Sequence, residues 1–361
     1  MIVFDRLQDT MDKINGNEIL YIGHDLNDKG GIATLEKNYA EVIEPYNHIS
    51  IFKTTTFLKK WLILLEGLFY MVVVLIRNKN IKIVHIQSAS GVDFYRNCLP
   101  LFIAKIFNKK IIMHIHGGFF AEFCKKKTKI TLYFLNKVDS IIVVSKFLQS
   151  QLESLNIKVP IKMLYNILSY PDEKKCKVNK ISFPIILGFM GAINENKQIF
   201  GLVDMFSRYS DLRNYFKLRI AGIGNVKYLK EKIISNNLSE VIEYVGWVKG
   251  ETKIDFINSF NILVQPSVFE SFGLSIAESM SYGKPAIGTN VGGIPEVIEN
   301  GVNGYLIQPR DWEGLYKLLL YIKDHPNDIV YKGRQAQNDV DKFYSYNIIN
   351  GLSVIYSDLL N

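Results

Sequence analysis

Two glutamates with seven residues between them, Glu270 and Glu278, flank a Phe-Gly-Leu turn in the segment PSVFESFGLSIAESMSYGKPAIGTNVGGIPEVIENGVNGYLI, residues 266–307. If residues 275–280 open a helix, Glu278 lies on its first turns and Glu270 on the loop before it. The backbone N–H groups of Phe272, Gly273 and Leu274 then point out of the helix N-terminus and form an anion site. Two carboxylates beside an anion site suit a ligand bearing both hydroxyls and phosphates, a sugar nucleotide, because carboxylate oxygens accept hydrogen bonds from hydroxyls. Taken alone, one pair at one spacing also fits two solvated glutamates.

Other positions invite the same question. Gly30 and Gly31 fall between a strand-like run and a helical stretch. Without side chains there, the backbone can approach a phosphate at the helix start, and a tight turn explains the pair equally well. The pattern is not G-x-G-x-x-G, so no nicotinamide cofactor is suggested. His116 closes a strand-like run two residues after His114, which reads as a satisfied histidine or a same-face metal pair. No third ligand has suitable spacing, and no metal site is expected. Cys98, Cys124 and Cys176 lie far apart, with neither disulfide nor zinc spacing, which points to a reducing cytoplasm.

The elements that must position these residues alternate strand and helix. Residues 18–25, 82–88, 110–118 and 140–145 read as apolar, β-branched strands, residues 27–44 as a glycine-rich turn opening a helix, with further helices near 58–77, 94–107 and 129–137. Continuous apolar strands between helices mean a parallel, doubly covered sheet. The polar stretch 166–180, with Pro171, reads as a linker. A second series follows at 183–191, 216–224, 242–248, 260–267 and 285–290. The class expected is α/β, with two Rossmann-like domains facing across a cleft and ligands beyond the carboxyl ends of the strands. Residues 61–76 form an apolar run of 16 residues broken by Glu66 and Gly67. That is short of the ~20 that span a bilayer. It reads as a helix on one side of the first sheet, with basic flanks Lys59, Lys60, Arg77 and Lys79 able to touch lipid headgroups.

On these residues the chain resembles retaining glycosyltransferase family 4. ESFGLSIAE, SYGKPAIGTNVGGIPEVI and GVNGYLI match its E-x7-E signature and the segment after it; GAINENKQIFGLVDMF, AGIGN, VGWV, HIHGG, VVS and GGI follow in the family's order. The resemblance implies the GT-B fold and metal-independent transfer with retention. It also implies that Glu270 would hold donor-sugar hydroxyls near the reacting carbon, and Glu278 the ribose hydroxyls. Phe272, Gly273 and Leu274 would meet the sugar and phosphate, and Lys197 would neutralise the departing diphosphate. His116 would hydrogen-bond the donor sugar, and Gly191, Gly222, Gly30 and Gly31 would be donor-binding, the last two lining the cleft opposite the donor site. Two positions depart from the pattern: Ala192 stands where the family has arginine, and Gln198 where it has glycine after the lysine.

The implied organisation is an acceptor-binding domain over residues 1–170, a donor-binding domain over 180–342, and a terminal helix at about 343–361 packing back on the first. The 361 residues suffice for two domains, and 48 % hydrophobic with 22 % charged residues excludes a disordered or multi-span membrane chain. The opening MIVFDRLQDTMDKING holds no apolar core long enough for a secretory signal. Net charge is concentrated: residues 42–130 hold 14 Lys and Arg against 4 Asp and Glu. Such an excess suits an anionic partner, though scattered lysines also merely solubilise. The expected function is a hexosyltransferase-type enzyme using a UDP- or GDP-linked sugar as substrate, with no cofactor. Its acceptor is expected to be a glycan, lipid-linked, in bacterial-type capsule, O-antigen or exopolysaccharide assembly. The expected place is cytoplasmic, peripheral on the inner membrane face through an anionic surface. Rival readings are a nucleotide-sugar epimerase or other enzyme of related fold, and a non-catalytic protein that binds anionic surfaces. No nucleic-acid motif is present.

Overall fold

Runs of β-branched residues build the strands of two parallel sheets. The computed structural model describes residues 13–126, 128–176 and 181–361. Its sheets belong to two α/β units, the residues up to Ser169 with Phe343–Asn361, and Tyr170–Lys342. Part of the segment read as a linker, residues 177–180, lies outside the described residues, as do the opening residues 1–12 and Lys127.

In the first unit the main sheet consists of β1 (Ile19–His24), β2 (His48–Phe52), β3 (Ile83–Ser88), β4 (Lys110–Ile115), β5 (Ser140–Val143) and β6 (Ile161–Met163), beside a two-stranded pairing of Ile14–Asn15 with Ile43–Glu44. Between them run α1 (Gly31–Val42), α2 (Phe57–Arg77), α3 (Val92–Ile106), α4 (Phe120–Lys126), α5 (Thr128–Leu135) and α6 (Lys146–Glu153). The sheet order is β2-β1-β3-β4-β5-β6, every pairing parallel. Successive side chains of a strand point to opposite faces. One face therefore sends Leu20, Ile22, Val84, Ile86, Ile111 and Met113 into a core shared with α2, α3 and α6. The alternate residues Tyr21, His85 and His114 are buried on the other side, where the Tyr39 ring of α1 meets His114 at 6.2 Å. On α2, Leu64, Gly67, Met71 and Leu75 are the buried stripe. Gly67 allows close approach to β2, since a Cβ there would lie 2.6 Å from the Ser50 carbonyl oxygen.

The second unit contains β7 (Ile185–Met190), β8 (Phe216–Ala221), β9 (Ile242–Gly246), β10 (Ile262–Gln265), β11 (Ala286–Thr289) and β12 (Gly304–Ile307). Its helices are α7 (Ile199–Arg208), α8 (Val226–Ser235), α9 (Glu251–Asn258), α10 (Leu274–Ser281), α11 (Ile294–Val297), α12 (Trp312–Asp324) and α13 (Asn327–Asp339). The order β9-β8-β7-β10-β11-β12, all parallel, is the doubly wound order of a dinucleotide-binding fold. Ile185, Leu187 and Phe189 of β7 anchor a core with Leu202, Phe206 and Leu319. The last helix, α14 (Ser345–Leu360), belongs to the first unit. It buries Ile348, Leu352, Ile355 and Tyr356.

The strands end two or three residues before most of the runs that predict them, because the glycines and polar residues after each run form loops. β2, β6 and β12 lie outside the predicted set. β6 is three residues long, and β12 sits inside the 266–307 motif, where loop chemistry dominates the reading.

Candidate active site

In a doubly wound sheet, neighbouring strands diverge where the order reverses, and their following loops open a crevice for ligand. In the second unit that point lies between β7 and β10. The loop after β7 carries Gly191, Lys197 and Gln198; the loop after β10 carries Glu270 to Gly273. The two loops are stitched together. The Val268 amide donates to the Asn196 carbonyl at 2.8 Å, and Asn196 Nδ2 donates to the Phe269 carbonyl at 3.1 Å. Asn194 Oδ1 accepts from the Lys197 amide at 3.0 Å. The consequence is an ion pair between Lys197 Nζ and the Glu270 carboxylate, both partners more than four-fifths buried.

Gln198 occupies the position where glycine is expected after the lysine, and its backbone shows why. Its φ is 54° and ψ 27°, the left-handed region that disfavours a side chain by about 1–2 kcal/mol. The Gln198 amide group offsets part of that cost by donating to the Glu195 carbonyl at 2.6 Å.

Glu270 is fixed from behind by a glycine pair. The Gly293 amide donates to the Glu270 carbonyl at 3.0 Å. A Cβ on Gly292 would sit 1.8 Å from that same oxygen, and Gly292 has φ 56°. Gly273 caps α10 at φ 97°, and Phe272 before it is fully buried. The first amides of an α-helix have no intrahelical partner, so the start of α10 offers the donors an anion needs. Glu278 lies one turn further along α10, and its Oε1 receives Lys253 Nζ at 2.6 Å. Lys253, on α9, was not singled out by the sequence. Its signal is a lysine 25 residues upstream of its partner, visible only once the sheet brings α9 beside α10.

Gly191 and Gly222 serve backbone packing here. A Cβ on Gly222 would fall 1.8 Å from the Gly191 carbonyl oxygen, so the ends of β7 and β8 can close only without one. Two buried oxygens, Asn196 Oδ1 in the loop after β7 and Gln265 Oε1 at the end of β10, have no hydrogen-bond partner among the described residues.

His116, Gly30 and Gly31 belong to the first unit. His116 follows β4 and is buried, with Nδ1 3.2 Å from Asn166 Oδ1 and Nε2 against Gln87 Oε1. Burial pushes its pKa down to about 4, so it is a neutral imidazole at pH 7. Behind it runs a buried polar chain that the sequence did not announce. His114 Nδ1 lies 3.1 Å from His85 Nε2, His85 Nδ1 lies 2.8 Å from the Tyr356 hydroxyl, and that hydroxyl lies 2.6 Å from the Tyr21 hydroxyl. Gly30 starts α1 at φ 139°, and a Cβ on Gly30 or Gly31 would meet nothing within 4 Å. The backbone there is open on one side.

Residues 172–344 match the family model described as glycosyl transferases group 1. A Klebsiella pneumoniae protein described as an uncharacterized 41.2 kDa protein in the cps region is 26 % identical over 358 residues, covering 91 % of this chain and 96 % of that protein. Among solved structures, sucrose-phosphate synthase from Thermosynechococcus elongatus aligns with a TM-score of 0.78 at 16 % identity, covering 95 % and 99 % of the two chains. Anabaena HepE, solved in complexes with UDP and with UDP-glucose, aligns at 0.74 in both, with 15 % and 16 % identity and at least 94 % of each chain covered. These likenesses support a glycosyltransferase. The chain has the GT-B glycosyltransferase fold, and its second unit carries the match to glycosyl transferases group 1.

Proposed function

We propose that this protein is a retaining glycosyltransferase that moves a sugar from a UDP- or GDP-linked donor to a glycan acceptor, lipid-linked, in the assembly of a cell-surface polysaccharide. The observation that carries the reading is the joined loop pair after β7 and β10, which sets Lys197 against Glu270 beside the start of α10. The description of the Klebsiella relative as a cps-region protein supports the polysaccharide context, and HepE with UDP-glucose supports the donor class.

On this reading the second unit binds the donor and the first the acceptor. The α10 amides and Lys197 take the diphosphate, and Glu278 takes the ribose hydroxyls. Lys197 cannot serve phosphate and Glu270 at full strength together. Donor binding draws the ammonium onto the diphosphate and frees the Glu270 carboxylate to accept sugar hydroxyls beside the reacting carbon. Negative charge then develops on the leaving diphosphate, where a fixed cation and helix amides stabilise it most. Lys253 holds Glu278 ready until ribose replaces it. His116, a neutral imidazole with both ring nitrogens against Asn166 and Gln87, would exchange one of those contacts to hydrogen-bond a sugar oxygen without adding charge.

A panel of UDP- and GDP-sugars with and without a lipid-linked acceptor, run with and without EDTA, tests the reading. Transfer to acceptor with the donor's anomeric configuration kept, undiminished by EDTA, is expected. Interconversion of donor sugars without transfer would make the protein an epimerase. An inverted product, or loss of activity restored only by added metal, would contradict the mechanism.

A further inference from the structure

The outward side of α2 carries a second apolar stripe. Leu64, Gly67, Met71 and Leu75 face the sheet. On the far side, Leu58, Trp61, Leu62, Leu65, Phe69 and Ile76 are all exposed, Leu58 by 75 % and Phe69 by 72 %. Steps of three and four residues keep these side chains on one face. The stripe widens across neighbouring helices. α3 packs beside α2 and exposes Leu99, Phe102 and Ile106. α5, whose Phe134 ring meets Phe102 at 5.7 Å, exposes Ile130 and Tyr133. Soluble proteins scatter such residues singly; three adjacent helices presenting them together mark an interaction surface.

The surroundings are cationic. Lys59 and Arg77 flank the stripe on α2 and Lys79 follows its end, with Lys105 on α3, Lys126 on α4 and Lys129 on α5. Residues 42–130 hold 14 Lys and Arg against 4 Asp and Glu. Among the described residues, no helix is long and apolar enough to cross a membrane. We propose that this face docks onto an anionic lipid bilayer. α2 lies in the plane of the interface, its outward leucines and aromatics enter the boundary between headgroups and acyl chains, and the basic rim meets lipid phosphates. Charge complementarity selects the bilayer over a second copy of the chain, whose own basic rim would be repelled. The docking stands apart from sugar transfer; only its use, bringing the enzyme to a lipid-linked acceptor, rests on the function proposed above.

Flotation of the full chain with phosphatidylcholine vesicles, with and without phosphatidylglycerol and in the absence of any sugar nucleotide, tests it. The wild type should float with the anionic vesicles and show a blue-shifted tryptophan emission that W61F lacks. High salt should weaken flotation without abolishing it. L65E and F69E alter only exposed side chains and should keep the thermal melt, yet each should lower vesicle partition about tenfold or more. Wild type that stays unbound to anionic vesicles, or variants that float as well as wild type, would overturn the proposal. So would concentration-dependent self-association abolished by L65E without vesicle binding, which would give the face to a second copy. A chain that floats as expected but transfers no sugar would refute the transferase reading and leave the docking intact.

Discussion

Lys197 and Glu270 neutralise each other in the unliganded site, so substituting either one leaves the other as a partly buried, unpaired charge. Glu270→Gln keeps shape and hydrogen bonding while removing the charge. It should lower the thermal melt only in part, since the amide still accepts from Lys197 while the charge goes unpaired, and lower kcat about 10²–10³-fold, the usual cost of losing one group aimed at transition-state charge. A variant with near-normal kcat would remove Glu270 from the reaction. Ala192→Arg tests the opposite change, adding a cation beside Lys197 where the resemblance places one. A second charge-assisted contact should tighten nucleoside diphosphate binding about tenfold in a calorimetric titration, and an unchanged Kd would show that position 192 does not face the diphosphate. The glutamate pair was legible in the sequence because its spacing is local, a loop and the helix it opens. Lys253 was not, since its meeting with Glu278 depends on helices brought together by the sheet. The missing glycine at Gln198 was visible, and the structure explains it: the left-handed backbone stays and the side chain adapts.

At the scale of elements, the site is made by loops whose backbones touch. The Gly292-Gly293 pair lets the start of α11 press on the Glu270 carbonyl, and a Cβ at Gly292 would lie 1.8 Å from it at a φ of 56°. Gly292→Ala should therefore destabilise the fold by about 1–3 kcal/mol in urea denaturation. It should also lower kcat by displacing Glu270, although the substituted side chain never meets substrate. Wild-type stability and turnover together would mean that this contact does not position the carboxylate. The strands of both sheets were readable as apolar runs because each is covered on two faces. The short edge strand β6 carries too few residues to announce itself, and β2, with alternating half-buried positions, does not form a continuous apolar run. The use of α2 was only half legible. Its apolar run showed a helix on the sheet, while the division into a core stripe and an outward stripe appears only when burial is known.

For the whole molecule, the buried face of the first sheet sets a pH limit. His85, His114 and His116 are driven by burial below the ordinary 6.5, His85 to about 3 and His116 to about 4. Unfolded chains protonate these histidines near 6.5, while the folded protein resists. The unfolded state therefore binds more protons as pH falls below 6.5, and stability declines in that direction. The slope should reach about 1.4 kcal/mol per pH unit for each histidine, levelling off near the folded values. Urea midpoints followed from neutral pH downwards would show it, and a flat midpoint would mean the three imidazoles are not held neutral. No local pattern reveals this chain, because His85 meets Tyr356 across 271 residues. The central claim, that the second unit is a nucleotide-sugar site built on Lys197, Glu270 and Glu278, is tested most directly by titrating UDP and GDP into the wild type, Lys197→Ala and Glu278→Ala in a calorimeter. One nucleoside diphosphate should bind the wild type, with affinity reduced about tenfold or more in each variant through loss of a charge-assisted contact. Binding of neither nucleotide, or equal affinity in all three proteins, would contradict the account.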